Sequence, residues 1–372
     1  MYLFNEIDTL IAKLRHKTFI NLGRFIVGSL LNNPPNRIIR SITESLSNEI
    51  IKSHFIDEII IAQPVVEYYK FTDNIPLYFR RDKSFDKRSV FLLKNLIVSP
   101  ISGLIRVDNK FMLQESIGSL NRVLRTGEPS EAIRHFKDLE EDEYIFVCPD
   151  TGYYHFIFEV LPNLLHSYRF LHGEVKIITS HKASKYVTDT LKILFDNNIF
   201  EKMYVLSGSV RVKNLILTQF PAYSGFIHPF DLKTLVNFIK LNTNENKYKN
   251  YRKIYISRKK SRRPLKDEEI IEIMLEKIGF KIIYSEDFPL LEQFSLFANA
   301  EVIVAPHGAG LVNLVFSQQL KVVVEIFTEA LAINDCYARL AVMFGAKYKM
   351  LFFKNNDVSN LSTALTELLK FY

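Results

Sequence analysis

Val302-Ile303-Val304-Ala305 is an apolar run with no polar alternation, and Pro306-His307-Gly308-Ala309-Gly310 follows it directly. This stretch constrains the fold more than any other. A short continuous run rich in Val and Ile suits a strand buried on both faces, as in a parallel sheet covered by helices. Pro306 ends the run, because proline has no amide proton to offer a sheet ladder. Gly308 and Gly310 flank one small residue, so the backbone can turn sharply and let a ligand come close. Leu311 to Phe316 reads as the first turns of a buried helix. Strand, glycine turn and helix together aim backbone N–H groups at an anion. The competing reading is a tight packing turn in which His307 is a structural histidine.

A second apolar strand follows at Lys321-Val322-Val323-Val324-Glu325-Ile326-Phe327, interrupted only by Glu325 near its C-terminal end. Ligands of open α/β sheets sit beyond the carboxyl ends of the strands. A carboxylate there can accept hydrogen bonds from a ribose diol. The local expectation is therefore a nucleotide site, with phosphates over Gly308 to Gly310 and ribose at Glu325.

The chain has 372 residues, enough for two ordinary domains. With 48% hydrophobic and 24% charged residues it builds a core and is not a disordered tail. A formal charge of +7 suits an anionic substrate or an anionic membrane surface and falls short of a dedicated nucleic-acid face. Two cysteines, Cys148 and Cys336, supply neither a disulfide framework nor a zinc site, which points to a reducing, cytoplasmic setting. Met1 to Glu6 carries an acid early and lacks a signal-type apolar core, and no window is long and apolar enough to span a bilayer.

Residues 1–88 read as a helical N-terminal extension, broken at Asn33-Pro34-Pro35-Asn36. Its basic residues lie beside Phe19, Phe25 and Ile26. The favoured reading is ordinary helices packed on the core; the alternative is an acceptor-binding element or a peripheral membrane contact. From Ser89 the period becomes β-like, and strands then alternate with helices. Val175 to Thr179, Met203 to Leu206 and Leu215 to Thr218 read as strands, and Tyr186 to Leu194 as a helix. That alternation predicts a mainly parallel sheet.

Asp150-Thr151-Gly152-Tyr153-Tyr154-His155-Phe156-Ile157-Phe158-Glu159-Val160-Leu161-Pro162 opens a helix after the strand ending at Cys148. His155 and Glu159 stand four apart and share one helix face. An imidazole beside a carboxylate is a general-base arrangement, in which one group takes a proton and the other orients it. It is equally the pattern of a structural hydrogen bond within a helix.

Pro221 to Pro229 is the expected connection to a second domain, whose first strand is Lys253 to Ser257. Arg258-Lys259-Lys260-Ser261-Arg262-Arg263 follows, placing five cations past a strand's carboxyl end. Arg meets a pyrophosphate with paired, charge-assisted hydrogen bonds. Arg258 is the first choice, with Arg262 or Arg263 behind it; the lysines read as a solvated basic surface. No Asp-x-Asp triplet stands at a convincing strand end, so no metal is expected. The His-Gly-Ala-Gly turn near the C-terminal end also departs from the Gly-x-Gly-x-x-Gly of a first-strand dinucleotide site.

The run from Ala305 to Asn313, preceded by Glu292-Gln293 and by Leu296 to Ala300 and followed by Val324-Glu325-Ile326-Phe327, resembles the signature of glycosyltransferase family 61. The Tyr153-Tyr154-His155…Glu159-x-Leu161-Pro162 stretch and the strand ending in Ser257-Arg258 fit the same family. The resemblance runs from about Ser89 to about Phe353. It implies an α/β protein of GT-B type, with two Rossmann-like domains facing a cleft. The acceptor domain would be 89–225, the nucleotide-sugar domain 226–353, and a terminal helix at 354–372 would pack back across the cleft. It implies inverting sugar transfer from a nucleoside diphosphate sugar to a glycan or lipid-linked glycan acceptor, of the kind used in capsular or other surface polysaccharide synthesis. His155 or Glu159 would be the base, and Arg258, Arg262, Arg263, His307, Gly308, Ala309, Gly310, Asn313 and Glu325 would hold the donor. The alternative is a sugar-nucleotide or polysaccharide binding protein without catalysis.

Overall fold

The computed structural model describes residues 39–40, 42, 52–67, 83–101, 103–107, 111–113, 137–149, 151–171, 175–200, 202–218, 225–328, 334–353 and 358–370. They form two main sheets with helices between and around them. The first contains β1 (Ile39–Arg40), β2 (Phe55–Ala62), β5 (Arg88–Val98), β6 (Ile105–Val107), β7 (Phe111–Leu113), β8 (Lys137–Cys148), β9 (Val175–Ser180), β10 (Lys202–Leu206) and β11 (Val210–Thr218). Its order is β1-β7-β6-β5-β11-β8-β9-β10, with β2 also paired to β5. The strands β11, β8, β9 and β10 run parallel, whereas β5 is antiparallel to β2, β6 and β11. A short antiparallel pair, β3 (Val65–Glu67) with β4 (Lys83–Phe85), forms a separate two-stranded sheet.

The second sheet is wholly parallel, in the order β13-β12-β14-β15-β16. Its strands are β12 (Lys253–Ile256), β13 (Lys281–Ile283), β14 (Val302–Pro306), β15 (Val322–Thr328) and β16 (Lys347–Phe353). Every residue of β14 is buried, as a strand covered on both faces requires. Along β15, Val323 faces the large central core while Val322, Val324 and Ile326 face the outer one.

The central core is shared by the two halves. It joins Phe156 and Leu164 of α1 (153–171), Leu191 of α2 (Lys185–Asp196), Leu235 and Phe238 of α3 (Pro229–Leu241), and Phe294 of α5 (Leu290–Phe297). Phe316, at the end of a 3-10 helix over Ala309–Phe316, completes it, with its ring centroid 4.7 Å from that of Phe294. At roughly 1.5–3 kcal/mol for each fully buried large side chain, this layer ties the two sheets through their helices.

Three expectations are corrected. The described residues at 55–62, 65–67 and 83–85 are strands, not part of a helical extension. The β-branched run Ile59-Ile60-Ile61 favours extended backbone, and β2 gains an antiparallel ladder against β5, irregular at Phe55/Asp57 and Ile60/Ala62. Residues 1–38 lie outside the described residues, as do Pro221 to Ser224 of the expected connection. Helix α7 (Val358–Leu369) does not cross to the first sheet: Leu361, Leu365 and Leu369 stand four apart and pack on Ile271 and Leu275 of α4 (Glu268–Lys277) and on the outer face of the second sheet. The segment after Gly308 is 3-10, not α, consistent with Gly310 and the β-branched Val312 and Val315 within it.

Candidate active site

Strand pairing sets one wall of the site. Ala305 lies opposite Glu325 in the β14–β15 ladder, and His307 N donates to Ile326 O at 2.8 Å just beyond it. Side chains two apart on a strand share a face, so His307 returns to the face occupied by Glu325. The backbone at Gly308 is extended, with φ 164°, so glycine is not needed there for its conformation. It is needed for room: a Cβ would lie 3.0 Å from the guanidinium carbon of Arg258. At Gly310 a Cβ would lie 3.0 Å from Ile256 Cγ2.

His307 is tightly held. Its Nδ1 lies 2.5 Å from Glu325 Oε1, and Tyr348 donates its hydroxyl to Glu325 Oε2 at 2.5 Å. Beside a carboxylate, Nδ1 is the nitrogen that carries the proton. The other nitrogen, Nε2, faces the amide of Asn334 at 3.3 Å. The ring stacks on Phe327 with centroids 4.8 Å apart and meets the edge of Tyr337. Burial pushes the Glu325 carboxyl above its ordinary range, against the pull of His307 and Tyr348. Burial and the same carboxylate push the Tyr348 phenol well up, so it remains a donor. Glu325 is 0% exposed and both its oxygens are engaged. In this arrangement the Glu325 side chain orients His307 and does not stand open to a ribose.

Buried carboxylates also set the loop after β12. Glu268 Oε1 accepts from Arg258 N and from the Tyr255 hydroxyl, both at 2.8 Å. Ser257 donates to Glu272 at 2.6 Å. Arg258, thus anchored, lays its guanidinium on Gly308 and donates Nη1–H to the His307 carbonyl. Burial and the nearby charge of Arg263 hold the Arg258 pKa below its ordinary value. Two cations held close favour an anion between or beside them. Lys259 pairs with Glu269 at 3.3 Å and Lys260 with Asp287 at 2.5 Å, both on the surface. Arg262 is exposed and does not line the cleft.

The opposite wall is the opening of α1. Tyr153–His155 is α-helical, Phe156–Val160 is a π turn, and Leu161–Leu171 resumes the α-helix. Gly152 holds the N-cap. His155 Nδ1 lies 2.8 Å from Glu159 Oε1. The imidazole is 38% exposed and the carboxylate 3%, so His155 is the member that reaches the cleft.

Asn313, expected in the donor site, is 0% exposed and sits at a buried junction. It accepts from the Tyr153 hydroxyl at 2.8 Å and donates to Gln293 Oε1 at 2.8 Å and to Ser285 Oγ at 3.1 Å. This ties the opening of α1 to the second half. Gln293, in the expected Glu292-Gln293 pair, is spent on Asn313 and on the carbonyls of Ser285 and Phe288. Glu292 pairs with Lys247 at 2.6 Å.

A cleft of about 460 Å³ lies between these walls. Of the residues singled out in the sequence, His155, Arg263, His307, Gly308 and Ala309 line it. Arg258 adjoins it through Gly308, and Glu159 and Glu325 stand behind the two imidazoles. The sequence reading missed Asn334 and Tyr337 in the lining, and Tyr348 behind it. Asn334 and Tyr337 begin α6 (Cys336–Met343) and its approach, where nothing in the spacing marks them. Tyr154, within the quoted motif, lines the cleft 5.8 Å from Tyr337 between ring centroids.

Among the described residues no group of three or more His, Cys, Asp and Glu side chains is placed to hold a metal ion. Among the same residues no helix is long and apolar enough to cross a membrane. Residues 153–324 match the family model described as Glycosyltransferase 61, which spans both walls of the cleft. No curated protein matches the chain.

Proposed function

The chain carries a glycosyltransferase 61 domain over residues 153–324, and from that premise we propose that it transfers a sugar from a nucleoside diphosphate sugar to a glycan hydroxyl with inversion. The observation that carries this reading is the cleft itself, with a carboxylate-backed imidazole on one wall and a glycine turn flanked by arginines on the other. In this reading the two sheets are the two halves of a GT-B-like fold. The diphosphate lies at Gly308 and Ala309, where the first amides of the 3-10 helix and Arg258 and Arg263 supply positive charge. The acceptor hydroxyl comes from the α1 side. His155 Nε2 takes its proton, with Glu159 balancing the imidazolium that forms. The acceptor oxygen attacks the anomeric carbon as the diphosphate leaves on the opposite face. Charge growing on the leaving group meets preorganised donors, which require no rearrangement during the reaction. The arginines and amides do this without a metal. A surface polysaccharide, capsular or lipid-linked, is the acceptor class we propose.

Thermal unfolding against a panel of nucleoside diphosphates, with magnesium and with EDTA, tests the donor half. A ligand at a hundredfold over its Kd stabilises the folded state by about 2.7 kcal/mol. Stabilisation by one diphosphate, insensitive to EDTA, is expected. The absence of any response would remove the donor site and the function with it.

A further inference from the structure

The cleft holds two imidazoles backed by carboxylates, and sugar transfer needs only one base. We propose that Tyr348, Glu325 and His307 form a relay in which His307, as imidazolium, hydrogen-bonds the departing diphosphate through Nε2. Glu325 and Tyr348 act as positioning residues behind it. This rests on the transferase reading and adds to it the group that meets the leaving oxygen.

Three observations carry the assignment. First, His307 belongs to the turn itself: its carbonyl receives Arg258, and Gly308 and Ala309 follow it into the cleft lining. An anion placed on that turn shares the cleft lining with His307. Second, the ring cannot swing away. Phe327 stacks on it, Tyr337 abuts it, and Nδ1 is fixed on Glu325. The imidazole is 13% exposed and lines the cleft, and with Nδ1 taken by Glu325 the ring nitrogen left for a ligand is Nε2. Third, Glu325 has no route to solvent and its other oxygen is taken by Tyr348. A buried carboxylate is costly unless an adjacent cation and hydrogen bonds offset it. His307 is the group within reach that becomes such a cation on protonation, and an arriving diphosphate supplies the second negative partner that favours the protonated ring.

The step balances without a further reactant. The bond from the anomeric carbon to the diphosphate oxygen breaks, and its electron pair stays on that oxygen. The new bond forms to the acceptor oxygen, whose proton goes to His155. His307 keeps its proton and shares it as a hydrogen bond with the leaving oxygen. Asn334, now 3.3 Å from Nε2, is displaced from that nitrogen or bonds the same phosphate.

The test is NMR of protein labelled with nitrogen-15 in histidine, titrated with pH alone and with UDP, GDP, CDP or inorganic pyrophosphate at saturation. The His307 Nδ1 proton is expected far downfield and is expected to vanish in Glu325→Gln. A bound diphosphate should raise the His307 titration midpoint by about one pH unit, the scale on which a close opposite charge acts. Glu325→Gln should weaken that diphosphate about tenfold; Tyr348→Phe should do so less and serves if Glu325→Gln does not fold. A diphosphate affinity that is the same in Glu325→Gln, Tyr348→Phe and wild type would leave Glu325 and Tyr348 merely structural. If one of the four probes binds and the His307 midpoint does not rise, the relay is wrong while the donor site stands. If none binds the wild-type protein, the transferase reading falls and takes the relay with it.

Discussion

The two imidazole–carboxylate pairs reach similar geometry by different means. His155 and Glu159 are joined by one helical turn, and their contact of 2.8 Å is local. His307 stands just past the end of β14 and Glu325 on β15, and the parallel register of the two strands brings them together. The local pair leaves its imidazole open, at 38% exposure, whereas the non-local one is packed under rings and has a third member, Tyr348. An imidazole that must accept a proton from a changing acceptor benefits from access. One that must hold its place against a diphosphate benefits from confinement. The same chemical unit thus suits two tasks according to how its fold position exposes it.

Removing His155 is the harshest way to break that division. His155→Gln should lower transfer from the selected donor by about 10²–10⁴-fold, the usual range for a lost general base. Its donor Kd should stay at the wild-type value. A parallel loss of donor affinity would show that the α1 wall also holds the donor. Glu159→Gln should cost less, because the imidazole remains and only its balancing charge is lost. The sharper contrast is at the turn. Gly308→Ala places a methyl 3.0 Å from the Arg258 guanidinium. It should weaken nucleoside diphosphate binding about tenfold, near 1.4 kcal/mol, measured by calorimetry. An unchanged Kd would take Arg258 out of the donor site.

Between the walls, Asn313→Ala leaves the Tyr153 hydroxyl, Gln293 and Ser285 without their shared partner. Unmaking buried hydrogen bonds costs about 1–3 kcal/mol, which denaturant unfolding resolves. Loss of donor binding without loss of stability would restore Asn313 to the donor site.

These contrasts also mark what the sequence could disclose. The i, i+4 pair was legible because a helix fixes that spacing. The all-apolar runs of β14 and β15 announced a doubly covered parallel sheet, and the Ser257-Arg258 strand end placed a cation beside the turn. Glu325 was visible as an odd residue in an apolar strand, but its partner was not. A ribose and a histidine ask the same thing of a carboxylate, and only strand register chooses between them. Tyr348 had no signal at all, since an aromatic in a final strand reads as core. The β2 strand was missed because Ile59-Ile60-Ile61 gains its ladder from β5, some thirty residues later in the chain.

The smallest expected effects concern pH, and they distinguish Glu325 from another buried carboxylate, Asp231. Asp231 sits at 0% exposure at the start of α3, with Arg88 Nε 3.1 Å away and His166 Nε2 at 2.9 Å. Burial would raise its pKa, but Arg88, His166 and His228 outweigh burial and hold it below the ordinary aspartate range. Its ionised form is therefore favoured by folding. The stability it contributes is present above the unfolded pKa of about 3.9 and is lost as pH falls through the folded value. Glu325 has the opposite sign. Its folded pKa is raised, so its contribution is complete below the unfolded value of about 4.3 and is lost as pH rises through the folded one. Urea midpoints across acid and neutral pH should separate them. The advantage of wild type over Asp231→Asn should shrink on acidification. The advantage of wild type over Glu325→Gln should shrink on raising the pH. Slopes of the same sign would mean that His307 and Tyr348 hold Glu325 ionised as firmly as Arg88 holds Asp231, and the two carboxylates would then be equivalent structural ions. Opposite slopes would show that Glu325 is held at a cost to folding, as expected of a group retained for its effect on His307.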